Sequence, residues 1–355
     1  MPDNTVVSML AERFAELQAR ARARHLNVAG VQLDIDSPTS ALPQYAAFLR
    51  EVRKGLPDGW RLSITALLDW FRSGTSVGDV IRETDEFVPQ FYDIDAATWN
   101  NSAAVAARID AARWRPVFNR FGKRFRIGIS TFGRARFVPR DFSSGARLSG
   151  LASYRDLTPL DIALNPAFRL RTERNPANEL VLNYEATRKL RIGYTDLNPG
   201  DVIQFILATP EAVRDAVAGA RRIGGNLTGV VFFRWPQARE LLAMQPDEAL
   251  MAAGLAPVKV QKENQVYTVD GRCAAVACVD VYLESSAPFS SNPLHCRIHT
   301  STELEYFLPR EHMPVRMIAP SELEVSLPPY CARGRLYLGR AVTARKTEFT
   351  VEEER

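Results

Sequence analysis

Val7, Leu10, Phe14, Leu17 and Ala21 recur at helical spacing, so residues 5–24 are expected to open the chain as an amphipathic helix. The period then changes to two. Residues 27–36 read as a strand with Val31, Leu33 and Ile35 on one face and Gln32, Asp34 and Asp36 on the other. Ser40 as N-cap, an apolar face of Leu42, Tyr45, Phe48, Leu49 and Val52, and Gly55 as the stop predict a helix. Residues 61–68 form the next expected strand, 77–83 a short helix, 87–92 a third strand, 102–114 a helix and 125–130 a fourth strand. Strands that alternate with helices in this way require a parallel sheet covered by helices.

The alternation stops for about 75 residues, where 179–183, 189–194 and 202–208 read as short strands of a β-rich insertion. It resumes with a helix opened by Thr209-Pro-Glu, buried through Val213, Ala216, Val217 and Ala220, and closed by Gly224-Gly225. Residues 229–234 supply a fifth parallel strand and 236–253 a helix. Beyond them the pattern alternates in strands around Tyr267, 274–283, 295–298, 304–308, 315–318 and 336–343, which predicts a separate β-sandwich-like domain.

The chain has 355 residues and a net charge of +4, and its acidic and basic residues are interspersed. The densest basic run, Arg113, Arg115, Arg120, Lys123, Arg124 and Arg126, sits where a helix ends before an apolar strand, so it reads as a solvated helix end and no nucleic-acid partner is expected. No apolar run reaches the roughly 18–20 residues of a membrane span. The opening Met1-Pro-Asp-Asn has neither the basic nor the apolar part of a secretory signal, so the expected location is the cytoplasm, or the periplasm or envelope if the true start lies upstream. Cys273, Cys278, Cys296 and Cys331 lack a Cys-x-x-Cys pair and His25, His295, His299 and His312 lack ligand spacing, so no metal or other cofactor is expected; disulfides remain open to the cysteines.

The segment Gly30-Val-Gln-Leu-Asp-Ile-Asp-Ser-Pro38 resembles the fourth strand of glycoside hydrolase family 18, the chitinase-type barrels, which reads Asp-Gly-x-Asp-x-Asp-x-Glu before Tyr-Pro. Gln90-Phe-Tyr-Asp93 is similar to that family's Met-x-Tyr-Asp, Gly128-Ile-Ser-Thr-Phe-Gly-Arg134 to its Gly-x-Pro-x-Tyr-Gly-Arg, and Gly229-Val-Val-Phe-Phe-Arg-Trp235 to its Gly-x-x-x-Trp, with Phe233 in place of the tryptophan. Val31-Gln-Leu-Asp-x-Asp-x-Pro38, with Leu62-Ser-Ile-Thr-Ala-Leu67 after it, also resembles the family called domain of unknown function 3142 over about residues 5–240.

The resemblance implies an α/β fold related to a (β/α)8 TIM barrel, with the strand at 27–36 in fourth place and the first three βα units missing. On that reading residues 1–254 are the barrel-like domain with its β-rich insertion at about 135–208, and 255–355 a β-sandwich-like accessory domain. A missing upstream segment or a partner chain in a homo-oligomer would close the barrel.

The resemblance also implies a carbohydrate ligand, and a polysaccharide or cell-wall glycan hydrolase in which Asp36 is the general acid and Asp34 the assisting carboxylate, while Tyr92 and Asp93 hold the substrate's acetamido group. Asp36 stands where the family has Glu, one methylene shorter, and Gln32 where it has Asp. Asp69 or Asp93 could instead oppose Asp36 from another strand. Gln32, Gln90, Arg134 and Arg234 are candidate substrate contacts, and Trp70, Trp99 and Trp235 candidate sugar-stacking platforms or core residues. A binding protein without turnover on the same scaffold is the rival reading, and docking onto envelope glycans or proteins through the C-terminal segment a third.

Overall fold

The computed structural model describes residues 4–92, 105–140, 162–192, 195–236, 242–257, 264–272, 277–285, 293–328 and 334–353. The chain is a mixed α/β protein with one parallel sheet and several antiparallel ones, and it divides into two compact units. The first comprises Met1–Asp95, Ala106–Ser130 and Arg214–Phe233, and the second Ala96–Val105, Thr131–Val213 and Arg234–Arg355.

The first unit is built on β1 (Gly30–Leu33), β2 (Arg61–Leu67), β3 (Glu86–Gln90), β4 (Arg124–Ser130) and β11 (Leu227–Phe233), hydrogen-bonded in that order, all parallel. Helices α1 (Asn4–Ala23), α2 (Leu42–Lys54), α3 (Val77–Arg82) and α4 (Ala111–Asn119) belong to it with the latter part of α5 (Pro210–Ile223). The alternation along each strand sorts the side chains. Leu62, Ile64 and Ala66 of β2, Phe87 of β3 and Phe125, Ile127 and Ile129 of β4 are buried on one face. Against that face packs an aromatic cluster, with Phe118 of α4 5.0 Å from Phe71 and 5.0 Å from Trp114, ring centroid to ring centroid. The other face carries Gln32, Ser63, Thr65, Glu86, Gln90, Arg126 and Ser130, the polar half of the same alternation.

Several boundaries differ from expectation. β1 stops at Leu33, so Asp34, Ile35 and Asp36 leave the strand and enter the loop beyond its C-terminal end. Gly30 has φ +156, and a Cβ there would sit 2.1 Å from the Arg61 carbonyl oxygen, so only glycine lets β1 start this close to β2. Ser40 caps nothing: it lies in a 3-10 turn, Thr39–Ala41, and α2 begins at Leu42 with proline in its first turn, where the missing N–H costs no hydrogen bond. The helix expected over 102–114 starts at Ala111, because the Asp110 side chain accepts from the N–H groups of Ala112 and Arg113 and fixes the N-terminus there. The basic run around it is largely engaged internally: Arg115 donates to the Ile223 carbonyl, Lys123 to that of Thr84, and Arg126 pairs with Glu86.

In the second unit β5 (Arg134–Val138), β6 (Phe168–Arg174), β7 (Leu180–Ala186) and β10 (Val202–Leu207) form an antiparallel sheet in the order β5-β10-β7-β6, with β8 (Leu190–Ile192) and β9 (Thr195–Leu197) as a small hairpin. The helix expected over 236–253 is confined, among the described residues, to α6 (Pro246–Ala252). The last hundred residues make two four-stranded antiparallel sheets: β12 (Gln265–Asp270), β13 (Ala277–Ser285), β18 (Gly334–Thr343) and β15 (Leu304–Pro309) in that order, and β16 (Val315–Ala319), β17 (Glu322–Leu327), β14 (Leu294–Thr300) and β19 (Phe349–Glu353) in that order. They enclose one core containing Val281, Leu283, Leu336 and Leu338 from the first sheet and Ile298, Leu323, Val325 and Leu327 from the second. Cys278 is disulfide-bonded and Cys296 is buried.

Candidate functional site

Parallel βα sheets present loops and reactive side chains at the C-terminal ends of their strands. Here that edge of the first unit is acidic. Asp34 and Asp36 follow β1, Thr65 lies near the end of β2 and Gln90 closes β3. Thr65 Oγ1 donates to Asp34 Oδ1 at 2.6 Å. The Gln90 Nε2 amide donates to Asp34 Oδ1 at 3.2 Å and to Asp36 Oδ1 at 3.4 Å, so one buried amide spans both carboxylates. Both aspartates are themselves exposed. The chain turns out of β1 before Asp34, which leaves both carboxylates open to solvent.

Two further contacts fix the loop. Trp70 Nε1 donates to the Ser37 carbonyl at 2.9 Å, and Thr39 Oγ1 donates to Asp69 Oδ2 at 2.7 Å, so the segment after β2 ties down the segment that carries the acids. Asp69 makes no side-chain cap of its own 3-10 turn. Trp70 is fully buried, its ring 5.8 Å from Tyr45 in an edge arrangement, so it has no free face for a sugar and serves as an anchor in the core. Tyr45 is a component that the helical periodicity assigned only to the core. Its ring is buried and its hydroxyl has no hydrogen-bond partner among the described residues. Burial, followed by the charges of Asp34 and Asp36, pushes its ionisation well above the ordinary tyrosine value.

A lower polar tier runs beneath the acids. Ser63 Oγ is 3.5 Å from Gln32 Oε1 and 3.5 Å from Glu86 Oε1, and Glu86 Oε1 accepts from Arg126 Nε at 2.8 Å. Gln32 is thus placed with this tier, while Asp34 and Asp36 belong to the upper one. Tyr92 is buried, its ring stacked on Phe233 at 4.2 Å and 7°, and a Cβ on Gly128 would reach 2.4 Å from Tyr92 Cε1. The ring thereby packs over Gly128 of β4 and against Phe233 of β11, a packing role that the sequence did not reveal. Asp93 and Trp99 lie outside the described residues.

Arg134, Arg234 and Trp235 fall in the second unit. The Arg234 guanidinium lies over Phe132 at 5.6 Å, and Trp235 is 78% exposed, the most open large apolar side chain among the described residues. Among the described residues no group of three or more His, Cys, Asp or Glu could hold a metal ion, and no helix is long and apolar enough to cross a membrane.

The fold and site define a parallel βα protein with a carboxylate pair at the C-terminal edge of its sheet. Residues 2–146 match the profile of the family described as Domain of unknown function (DUF3142), and this stretch contains β1 to β4 and both acids. No curated protein matches the chain. Among solved structures the chain is similar to the spore cortex-lytic enzyme SleL of Bacillus cereus, with 13% identity and a TM-score of 0.42 over 73% of this chain and 55% of that one. It is similar also to SleL of Bacillus megaterium QM B1551, with 12% identity and a TM-score of 0.43 over 70% of this chain and 53% of that one. The chain thus spans about half the length of these proteins.

Proposed function

We propose that the protein is glycoside hydrolase-like and acts on a polysaccharide or cell-wall glycan through Asp36 and Asp34, with β1 to β4 and β11 forming part of a (β/α)8-related barrel wall. The observation that carries this reading is the Gln90 amide bridging Asp34 and Asp36, because it makes two loop carboxylates one site. Asp36 gives its proton to the glycosidic oxygen as the bond to the anomeric carbon breaks, and Asp34, held by Thr65 and Gln90, stabilises the positive charge that develops on the sugar. Water then adds to the anomeric carbon and returns a proton to the acid.

A second reading draws on the exposure of both carboxylates. A catalytic acid works best where water is excluded, and an open acidic edge is suited to hydrogen-bonding sugar hydroxyls without turnover. The two readings separate on one comparison: reducing-end release from a panel of cell-wall glycans and chromogenic glycosides by the wild type and by Asp36→Asn. Turnover that disappears in Asp36→Asn supports the hydrolase; retained binding with no turnover in either protein establishes the binding role.

A further inference from the structure

The outer face of the sheet β12-β13-β18-β15 presents one tyrosine from each of three neighbouring strands. Tyr267 of β12 is the register partner of Tyr282 on β13, which is in turn the partner of Tyr337 on β18. Their ring centroids are 6.4 Å and 5.2 Å apart. The alternating residues Val281, Leu283, Leu336 and Leu338 fill the core, which fixes the tyrosines to the solvent side. Across this row lies Arg335, with its guanidinium carbon 3.9 Å from the Tyr267 ring centre and 4.3 Å from that of Tyr282.

The charge on Arg335 is the informative feature. Arg340, on the same strand, is neutralised by Asp280 through bonds of 2.8 and 3.0 Å, and that guanidinium holds Asp280 below the usual carboxylate range. Among the described residues Arg335 forms no ion pair, even with Glu284, its cross-strand neighbour, and it lies over the tyrosines instead. Contact with both rings holds the guanidinium of this exposed side chain in place, and its N–H donors can receive a carboxylate by two parallel hydrogen bonds. Tyr267 is 46% exposed, so beside this fork stands an aromatic surface that can accept the apolar face of a pyranose ring. A charge-recognising fork next to a sugar-stacking ring matches one ligand class.

We propose that Arg335 and Tyr267, backed by Tyr282 and Tyr337, form a second binding site, for a carboxylate-bearing polysaccharide. The site does not depend on the Asp34–Asp36 pair. Tested in the full chain carrying Asp36→Asn, so that hydrolysis cannot confuse the readout, its occupancy is measured by affinity electrophoresis in gels containing polygalacturonate, neutral dextran or polyglutamate. Retardation is expected with polygalacturonate alone. Arg335→Gln should weaken it about tenfold or more, as the loss of a charge-assisted bidentate contact implies, and Tyr267→Ala should weaken it as well. Arg335→Lys, which keeps the charge and loses the fork, should bind less than the parent, and Glu284→Gln should bind more. Unchanged thermal midpoints verify that the variants fold. The proposal is overturned by absence of retardation in polygalacturonate, by retardation that Arg335→Gln leaves intact, or by equal retardation in polyglutamate, which would mark the patch as a docking site for acidic proteins.

Discussion

Replacing Gly128 by alanine offers a test in which two physical effects predict opposite signs. Gly128 sits in β4 at a backbone conformation open to any residue, so the substitution alone would stabilise the protein by about 0.4–1 kcal/mol through the unfolded chain. The added Cβ, however, would stand 2.4 Å from Cε1 and 3.0 Å from Cδ1 of Tyr92, where ordinary carbon contacts lie at about 3.5–4.0 Å. The tyrosine must therefore retreat by about 1 Å. Its retreat is blocked by Phe233, stacked 4.2 Å away, and its backbone is held because Phe91 N–H donates to the Gly128 carbonyl at 3.0 Å. Overpacking of this kind costs about 1–3 kcal/mol, so Gly128→Ala should lower the urea midpoint with no change in slope. In a Tyr92→Ala background the clash disappears, and the same substitution should become neutral or slightly stabilising, a coupling that a double-mutant cycle reads directly. A midpoint unaltered by Gly128→Ala, or a loss that persists without the Tyr92 ring, would refute this packing.

Tyr45→Phe removes a buried hydroxyl that has no partner among the described residues, so it should raise the thermal midpoint, by the equivalent of about 1 kcal/mol; a clear loss of stability would reveal a hydrogen bond to that hydroxyl. Because the folded state raises the ionisation of Tyr45, its contribution is fully present below the unfolded tyrosine value of about 10 and fades as pH rises through the folded one, so alkaline unfolding should be milder in Tyr45→Phe. Asp280 is shifted the other way: its contribution is present above the ordinary aspartate value and is lost as pH falls through the depressed one, and Asp280→Asn should flatten that acid limb in a pH series of thermal melts. Trp235→Ala, at a side chain 78% exposed, should leave stability within about 0.5 kcal/mol of wild type while weakening glycan binding, which intrinsic fluorescence and pull-down on insoluble cell wall can check.

The period-two and period-3.6 patterns made the parallel sheet legible, because each strand has one apolar face under helices and a polar opposite face. They also put Gln32, Asp34 and Asp36 on the polar side. What they could not reveal was where β1 ends: Ile35 continues the alternation, and only the three-dimensional path shows the chain leaving the strand after Leu33. Long-range pairings were equally silent. The bridge from Gln90 to Asp34 and Asp36, the Thr39–Asp69 bond and the Trp70 anchor join residues about 30 to 56 positions apart. Trp70 illustrates the limit well: its position after a strand suited a sugar platform, yet full burial assigns it to the core. Of the antiparallel sheet β5-β10-β7-β6, β7 and β10 were visible as short apolar strands, but β5 and β6 were hidden by arginine-rich alternation with few apolar residues.

The central claim is that the acidic edge formed by Asp34, Asp36 and Gln90 is a carbohydrate site. Calorimetric titration of soluble cell-wall glycan fragments into the wild type and an Asp34→Ala/Asp36→Ala variant tests it most directly. Binding by the wild type that is at least about tenfold weaker in the variant is the predicted result, as the loss of two charge-assisted contacts requires. An absence of binding, or equal affinity in a folded variant, would contradict the account.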